Sequence, residues 1–343
     1  MTPPLGTASA HQCNFLAMSA ARAAALVGLI LMSAAGCRSV TGSDTRTPSD
    51  TPESARLVTT DIARFWTAFD QMTSAFDTLP LRRDYLDVGT DGLKDFTNRR
   101  WKDARTLAGM VWPRREYYAS VRANTLRVAG LESDIRRIYR SLDTLYADAV
   151  FPDVYFAIGG MATGGTTGEH GLLIGTELFS RAADSPIGSL TPWQQSVVRS
   201  IDALPVIVAH ELTHYQQRYG ASPETLLATS IQEGSADFVG ELLSGKTIND
   251  HLRVYGDAHE AELWRSFSMA MNGSDLSLWL YNGGAASGTD GRPADLGYYV
   301  GARITAAYFD KQTNKKQALR DILTIRDFGQ FLNASGYAAK FAR

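Results

Sequence analysis

Residues 207–238 read IVAHELTHYQQRYGASPETLLATSIQEGSADF, and the predicted fold depends on this stretch. It contains an HExxH motif, in which His210 and His214 stand four residues apart. Residues at this spacing lie on the same face of a helix, one turn above each other. The two imidazoles can therefore converge on one metal ion, and Glu211 between them can hold a water bound to that ion.

A second helix is predicted after the motif. Gly220 is typical of a helix end, and the Ser-Pro pair at 222–223 is typical of a helix start. Residues 215–232 separate the motif from Glu233, which is enough chain for a turn between two helices. We expect Glu233 about three turns into the second helix, facing the first, with Asp237 one turn later on the same side.

These spacings predict a zinc site with His210, His214 and Glu233 as ligands. Three protein ligands leave the fourth tetrahedral position of Zn²⁺ open for water, which is typical of a catalytic centre. Asp237 is predicted to bind the other ring nitrogen of a ligand histidine and so to set its tautomer. The alternative is a helix with two solvated histidines, but the apolar run 206–209 predicts a buried helix.

Composition fits a globular protein with a large core. The chain has 343 residues, of which 44% are hydrophobic and 20% are charged. The formal net charge is -2, and the pI is near 6.3. Because nucleic-acid binding proteins usually present a basic face, this balance gives no support for a nucleic-acid partner.

The N-terminus is predicted to be a targeting segment. An apolar run at 23–32, too short for an ordinary membrane-spanning helix, is followed by SAAGC ending at Cys37. Small residues before a cysteine resemble the bacterial lipoprotein signal, although Ala34 replaces the usual leucine. We expect a signal peptide over 1–36, with Met18 as the better start, and a lipid on Cys37. An ordinary cleaved secretory signal is the alternative.

The chain after Cys37 is predicted to be a tether. Residues 37–53 are rich in Ser, Thr, Pro and Asp, and they contain little that can be buried. Cys13 is the other cysteine, so the mature chain has no disulfide and no catalytic thiol. The lipid would anchor the protein to a membrane of the bacterial cell envelope, facing the periplasm or the exterior.

The remaining sequence predicts an α+β protein that is mostly helical. Apolar spacing of three and four predicts a helix over 55–76, ended by Pro80, then broken helices to 132 and another helix over 131–147. Short β-type runs at 154–158 and 172–175 flank a glycine-rich loop, which favours a hairpin or a rim over a phosphate site. The region 154–175 is our candidate for a strand that binds an extended substrate.

Helices are also predicted over 192–202, from Pro205 through the motif, and over 250–271. His170 lies in the glycine-rich loop, where it can approach the site, although a surface position is the commoner case; His251 and His259 are predicted to be surface residues.

A further helix follows Arg292, and glycines on both sides of Tyr298 and Tyr299 allow close helix approach. One of these hydroxyls is predicted to stabilise an oxyanion; the alternative is that both tyrosines are core residues.

Four segments carry a family resemblance: HELTHYQQ, QEGSADF, FPDVYFAIGGMATGGT and RPADLGYYVGARI. In this order they resemble a family of predicted bacterial zinc-dependent proteases that includes relatives of the gliding-motility lipoprotein GldB. The likeness covers most of residues 84–340. The HExxH…E…D spacing also resembles the gluzincin peptidases, which implies a gluzincin-type fold with a small sheet beside the active-site helices. It implies one metallopeptidase-like domain over 54–343.

The resemblance implies zinc ligands at His210, His214 and Glu233, a general base at Glu211, and a histidine partner at Asp237. The expected function is a membrane-anchored zinc metalloprotease, in which Glu211 activates a zinc-bound water for attack on a peptide or protein substrate. The alternative is a GldB-like envelope lipoprotein that uses the same fold for binding or assembly and cleaves nothing. A structural zinc site is disfavoured because the ligand set leaves a position open.

Overall fold

The computed structural model describes residues 48–220, 224–283 and 291–342. The predicted signal peptide, Cys37 and most of the tether lie outside the described residues, as does the Ser-Pro pair at 222–223. All described residues belong to one compact unit.

Helices dominate this part of the chain, as the sequence predicts. The described residues form twelve α-helices: α1 Thr60–Phe69, α2 Asp91–Arg99, α3 Ala104–Val111, α4 Arg115–Thr125, α5 Glu132–Leu145, α6 Pro192–Val197, α7 Leu204–Gln216, α8 Leu226–Ser244, α9 Asp250–Ala270, α10 Leu296–Lys311, α11 Lys315–Leu323 and α12 Phe328–Ser335. Four strands accompany them: β1 Leu57–Val58, β2 Val154–Ala157, β3 Gly165–Thr167 and β4 Leu172–Gly175.

The strands form one small mixed sheet in the order β1-β2-β4-β3. Strands β1 and β4 pair with β2 in parallel, whereas β3 pairs with β4 in antiparallel fashion. Every residue of β2 and β4 is buried, which explains why both read as continuous apolar runs. The α+β class and both predicted β runs are confirmed. The two runs pair with each other in parallel, so they do not form the predicted hairpin; instead β3, which lies inside the glycine-rich loop, pairs with β4 in antiparallel fashion.

Helix α1 is shorter than the sequence predicts. It ends at Phe69, because the following segment closes a local turn in which the Asp77 carboxylate accepts hydrogen bonds from the backbone and hydroxyl of Thr73. Phe76, which extended the apolar stripe in sequence, is 92% exposed. Pro80 does not end α1 but precedes a short π-helix, Leu81–Leu86.

The C-terminal end of the predicted tether is packed on the domain. Ser49 pairs with Phe151 in an isolated bridge, and the buried Pro52 accepts a 2.6 Å hydrogen bond at its carbonyl from Arg136 of α5. Glu53 forms a 2.8 Å ion pair with Arg140, one turn further along α5. Residues 48–53 are thus part of the folded unit, because α5 supplies partners that local composition does not reveal.

The motif helix α7 is buried on every side. Ten consecutive residues, 204–213, are buried, so this helix shows no amphipathic stripe. Helix α8 packs against it and against α10. The close contact of α8 with α10 occurs at Gly234 and Gly301, where an added Cβ would lie 2.1 Å and 1.7 Å, respectively, from the backbone of the other helix. Glycine is needed here because no side chain fits between the two backbones.

Candidate metal centre

Helix α7 brings the two histidines together. Pro205 lies in its first turn, as predicted, and its side chains one turn apart project to the same face. The Nε2 atoms of His210 and His214 are 3.0 Å apart. Both rings are largely buried, so their mutual contact is shielded from water.

Helix α8 supplies the carboxylate. It begins at Leu226, with the Thr225 hydroxyl accepting a hydrogen bond from the backbone of Ala228. Glu233 therefore lies about two turns into the helix, not three as predicted, because the cap is Thr225. Its Oε2 atom lies 3.2 Å from Nε2 of His214 and 3.7 Å from Nε2 of His210.

The three groups form a donor set that fits a zinc ion. One potential ligand atom from each of His210, His214 and Glu233 lies within 4.8 Å of the others, and no fourth side chain joins this group among the described residues. Two imidazole nitrogens and one carboxylate oxygen are a ligand set typical of catalytic zinc sites. The gap between them is bordered by lone pairs, which a cation would satisfy.

The outer ring nitrogens are held by hydrogen bonds. Nδ1 of His210 lies 2.9 Å from Oδ1 of Asp237, the partner that the sequence predicts. Nδ1 of His214 lies 2.9 Å from Oε1 of Gln217. Both partners are acceptors, so each Nδ1 carries a proton and each Nε2 is the nitrogen that would bind a metal.

Gln217 was missed by sequence reasoning. Its Nε2 donates to the carbonyl of Gln232 at 2.9 Å and to the hydroxyl of Ser235 at 3.0 Å, so its oxygen must face His214. The one feature of the sequence that indicates a role for Gln217 is its position three residues after His214. Asp237 is oriented in the same manner by a 2.7 Å hydrogen bond from Nδ2 of Asn249.

Burial and hydrogen bonding compete in setting the charges of these groups. Burial lowers the pKa of His210, but its hydrogen bond to Asp237 and the nearby carboxylate of Glu233 outweigh it and raise the pKa well above the ordinary value. Burial raises the pKa of Glu233, but the positive charge and hydrogen bonds of His214 and His210 hold it well below the ordinary value. These side chains by themselves therefore favour an ionised carboxylate beside positive charge, and a bound cation would supply that charge in place of the Nε2 protons.

Glu211 lies beside the ligands and against the edge strand. Burial raises the pKa of its carboxyl, although the charges of His210 and His214 oppose this. A Cβ added to Gly165 of β3 would lie 2.6 Å from Oε1 of Glu211. Strand β3 is the last strand of the sheet. It is the edge strand within 154–175, so the prediction of a substrate-binding strand now refers to 165–167 and stays a prediction.

The two predicted tyrosines have different surroundings. The Tyr298 ring stacks on His210, with 6.3 Å between ring centroids, and within the described part of the chain its hydroxyl has no hydrogen-bond partner. Burial and the charge of Glu233 raise the pKa of Tyr298, so it stays a donor. The Tyr299 hydroxyl instead donates to Asp257 of α9 at 2.8 Å. The structure therefore brings Tyr298, but not Tyr299, to the centre.

A third tyrosine reaches the centre without being predicted. The Tyr281 hydroxyl donates to Oε1 of Glu233 at 2.6 Å. Partial removal of the hydroxyl from water and the charge of Glu233 raise the pKa of Tyr281, although the residue as a whole is 60% exposed, so its phenol remains protonated. No periodicity or motif in the sequence marks this residue.

Other histidines lie elsewhere. His170 hydrogen-bonds through Nδ1 and through its backbone N–H to Asp95, at 3.0 Å in each case. His251 lies 3.4 Å from Arg199, and His259 contacts the carbonyl of Tyr255 at 2.8 Å. None of the three is part of the donor set.

Fold and site together define an α+β protein with an HExxH…E candidate metal centre on two packed helices. The model of the family described as gliding motility protein GldB matches residues 47–339, and the chain therefore belongs to the GldB family. No curated protein and no solved structure matches the chain. The predicted resemblance to GldB is confirmed, whereas membership of a zinc protease family stays a prediction.

The family points to a lipoprotein of the cell envelope. The match begins at residue 47, so the lipid on Cys37 stays a prediction. Among the described residues, no helix combines the length and apolarity needed to cross a bilayer.

Proposed function

We propose that this GldB-family protein binds zinc through His210, His214 and Glu233 and hydrolyses peptide bonds at the cell envelope. The observation that carries the proposal is the convergence of three ligand atoms beside a fourth group, Glu211, that takes no part in holding them. A structural site would have used that position for a fourth ligand. We further propose a gluzincin-type arrangement and anchoring through a lipid on Cys37.

The residues of the chain divide the chemical work. Bound zinc would polarise a substrate carbonyl and lower the pKa of a water. Glu211 accepts a proton from the attacking water at its carboxylate and passes it to the amine nitrogen as the C–N bond breaks.

The elements around the metal centre would orient the substrate. The outer edge of β3 offers backbone N–H and C=O groups to an extended peptide, which would run past Glu211. The hydroxyl of Tyr298 is a donor for the developing oxyanion, a role that Tyr299 cannot share because Asp257 holds its hydroxyl.

The second candidate function is binding or assembly without cleavage, and membership of the GldB family favours it. The description of that family names motility and no hydrolysis. A fold and a site do not by themselves establish turnover. The same centre would then serve as a zinc-stabilised binding surface.

Metal analysis and peptide cleavage separate these functions. We expect the purified wild type and Glu211→Gln to hold stoichiometric zinc, since Glu211 is not a ligand, and His214→Ala to lose it. Against a peptide library, we expect Glu211→Gln to be slower than wild type by at least roughly 10²-fold, the lower range for loss of a general base. Identical cleavage profiles would favour the binding function, and a wild type without zinc would refute the proposed centre.

A further inference from the structure

The two oxygens of Glu233 have different partners. Oε2 faces the histidines, at 3.2 Å from Nε2 of His214. Oε1 accepts a 2.6 Å hydrogen bond from the Tyr281 hydroxyl. A carboxylate can rotate about its last bond, and the histidines alone do not determine which of its oxygens faces them. Another group must therefore fix the orientation of the Glu233 carboxylate.

We propose that Tyr281 is the positioning residue of the metal centre, which occupies one oxygen of Glu233 and thereby leaves the other to the metal. This inference rests on the proposed zinc binding. Removing the hydroxyl would free Oε1, so that Glu233 could turn or offer both oxygens. Tyr281 would then be needed for affinity and for the arrangement of ligands, although it does not touch the ion.

The segment around Tyr281 is built to hold it there. Trp279 and Leu280 are 2% exposed and anchor the chain in the core, whereas Tyr281 is 60% exposed. The next residue, Asn282, exchanges two hydrogen bonds with Asp295: its N–H donates to the carboxylate at 3.2 Å, and its side-chain oxygen accepts from the Asp295 N–H at 2.8 Å. Asp295 is the residue directly before α10.

The backbone of Tyr281 is also unusual. Its φ is 55°, in the left-handed region that favours glycine. Non-glycine residues persist in this region when their surroundings determine the conformation, and such residues cluster at functional sites. Here the backbone of Tyr281 is held in this conformation by the buried pair before it, Trp279 and Leu280, and by the hydrogen bonds between Asn282 and Asp295 after it. From this conformation the phenol hydroxyl reaches Glu233.

The bond itself is of a strong kind. A phenol that donates to an ionised carboxylate forms a short, charge-assisted hydrogen bond. Groups that orient metal ligands in this way typically change metal affinity by about 10- to 100-fold when they are removed.

The test compares Tyr281→Phe with Tyr299→Phe in the full folded domain. Both changes remove one phenol hydroxyl that is bonded to a carboxylate, but only Tyr281 contacts a proposed ligand. Zinc affinity is measured by competition with a chelator. We expect Tyr281→Phe to bind zinc about 10- to 100-fold more weakly than wild type, and Tyr299→Phe to bind it as wild type does.

A spectroscopic measurement distinguishes positioning from general loss of structure. With Co²⁺ as the probe, we expect the visible absorption bands of Tyr281→Phe to change in position or intensity, because the ligand arrangement differs. The melting temperature of metal-free Tyr281→Phe should fall no further than that of Tyr299→Phe, since each variant loses one phenol–carboxylate hydrogen bond. Unchanged zinc affinity and unchanged Co²⁺ bands in Tyr281→Phe would overturn the inference while wild-type zinc binding stands. A wild type that binds no zinc would instead refute the centre itself.

Discussion

At the scale of single residues, the predicted base Glu211 packs against a glycine. Gly165 of β3 lies against Glu211, and a Cβ added to this glycine would meet the Cγ and Oε1 atoms of that side chain at 2.6 Å. These atoms are the far end of a flexible side chain. The carboxylate can therefore move aside for a methyl group at little cost in folding free energy, but it then loses its place beside the histidines.

We predict that Gly165→Ala keeps zinc and stability but loses activity. A misplacement of about 1 Å in a catalytic group can lower the rate by roughly 10²-fold. The measurement is kcat/KM for a peptide that the wild type cleaves, together with bound zinc and the melting temperature. Gly188→Ala is the control, since a Cβ there has nothing within 4 Å. Equal kcat/KM in the two variants would contradict the assigned position of Glu211.

At the scale of elements, the crossing of α8 and α10 determines where Glu233 stands. A Cβ added to Gly301 would lie 1.7 Å from the carbonyl oxygen of Ser230, and one added to Gly234 would lie 2.1 Å from the backbone nitrogen of Ala302. In both cases the obstacle is backbone, which cannot rotate away. The glycines beside the tyrosine pair of α10 thus allow close helix approach, as the sequence predicts.

We predict that Gly301→Ala destabilises the protein by about 1–3 kcal/mol, because the two helices must separate. Zinc affinity should fall with it, since Glu233 moves with α8. The measurement is urea unfolding followed by zinc competition. Gly109→Ala on the exposed face of α3 is the control, and it should raise stability by roughly 0.5–1 kcal/mol because nothing lies within 4 Å of its Cβ. A neutral Gly301→Ala would refute the close crossing.

At the scale of the whole molecule, one carboxylate joins three distant segments. Glu260 of α9 accepts a hydrogen bond from Nε of Arg303 at 3.2 Å and from the hydroxyl of Tyr337 at 3.1 Å, and it pairs with Lys340 near the C-terminus. Burial raises the pKa of Glu260, but Lys340 and Arg303 outweigh it and lower the pKa below its ordinary value of 4.5. The ionised carboxylate is thus favoured by folding.

We predict that this cluster makes stability depend on pH. Because the folded pKa lies below the unfolded one, the contribution is present above pH 4.5 and is lost as the pH falls through the folded pKa. Glu260→Gln should cost roughly 1–2 kcal/mol at neutral pH, a modest value since the two cations are 41% and 51% exposed. Urea unfolding of both proteins should show this difference shrinking in acid. A difference independent of pH would contradict the assignment.

The sequence by itself determined the parts of the centre that lie within a helix. The four-residue spacings of His210 and His214 on α7 and of Glu233 and Asp237 on α8 dictate common faces, because helical geometry is local. The α+β fold class, the two buried strands and the resemblance to GldB could be predicted from the sequence for the same reason. Each depends on patterns among residues that are close in the chain.

Only the tertiary structure decided which distant residues complete the centre. Tyr281, which no sequence pattern marks, contacts a predicted ligand, and of the two tyrosines predicted near an oxyanion only Tyr298 lies beside His210. Strand β3 is the part of the glycine-rich region that lies against Glu211. Residues 48–53 pack on α5 for a similar reason, although their composition predicts a tether. Such contacts join segments with no shared periodicity. They depend on the long-range packing of helices and strands. They also depend on which polar groups become buried and therefore require a hydrogen-bond partner.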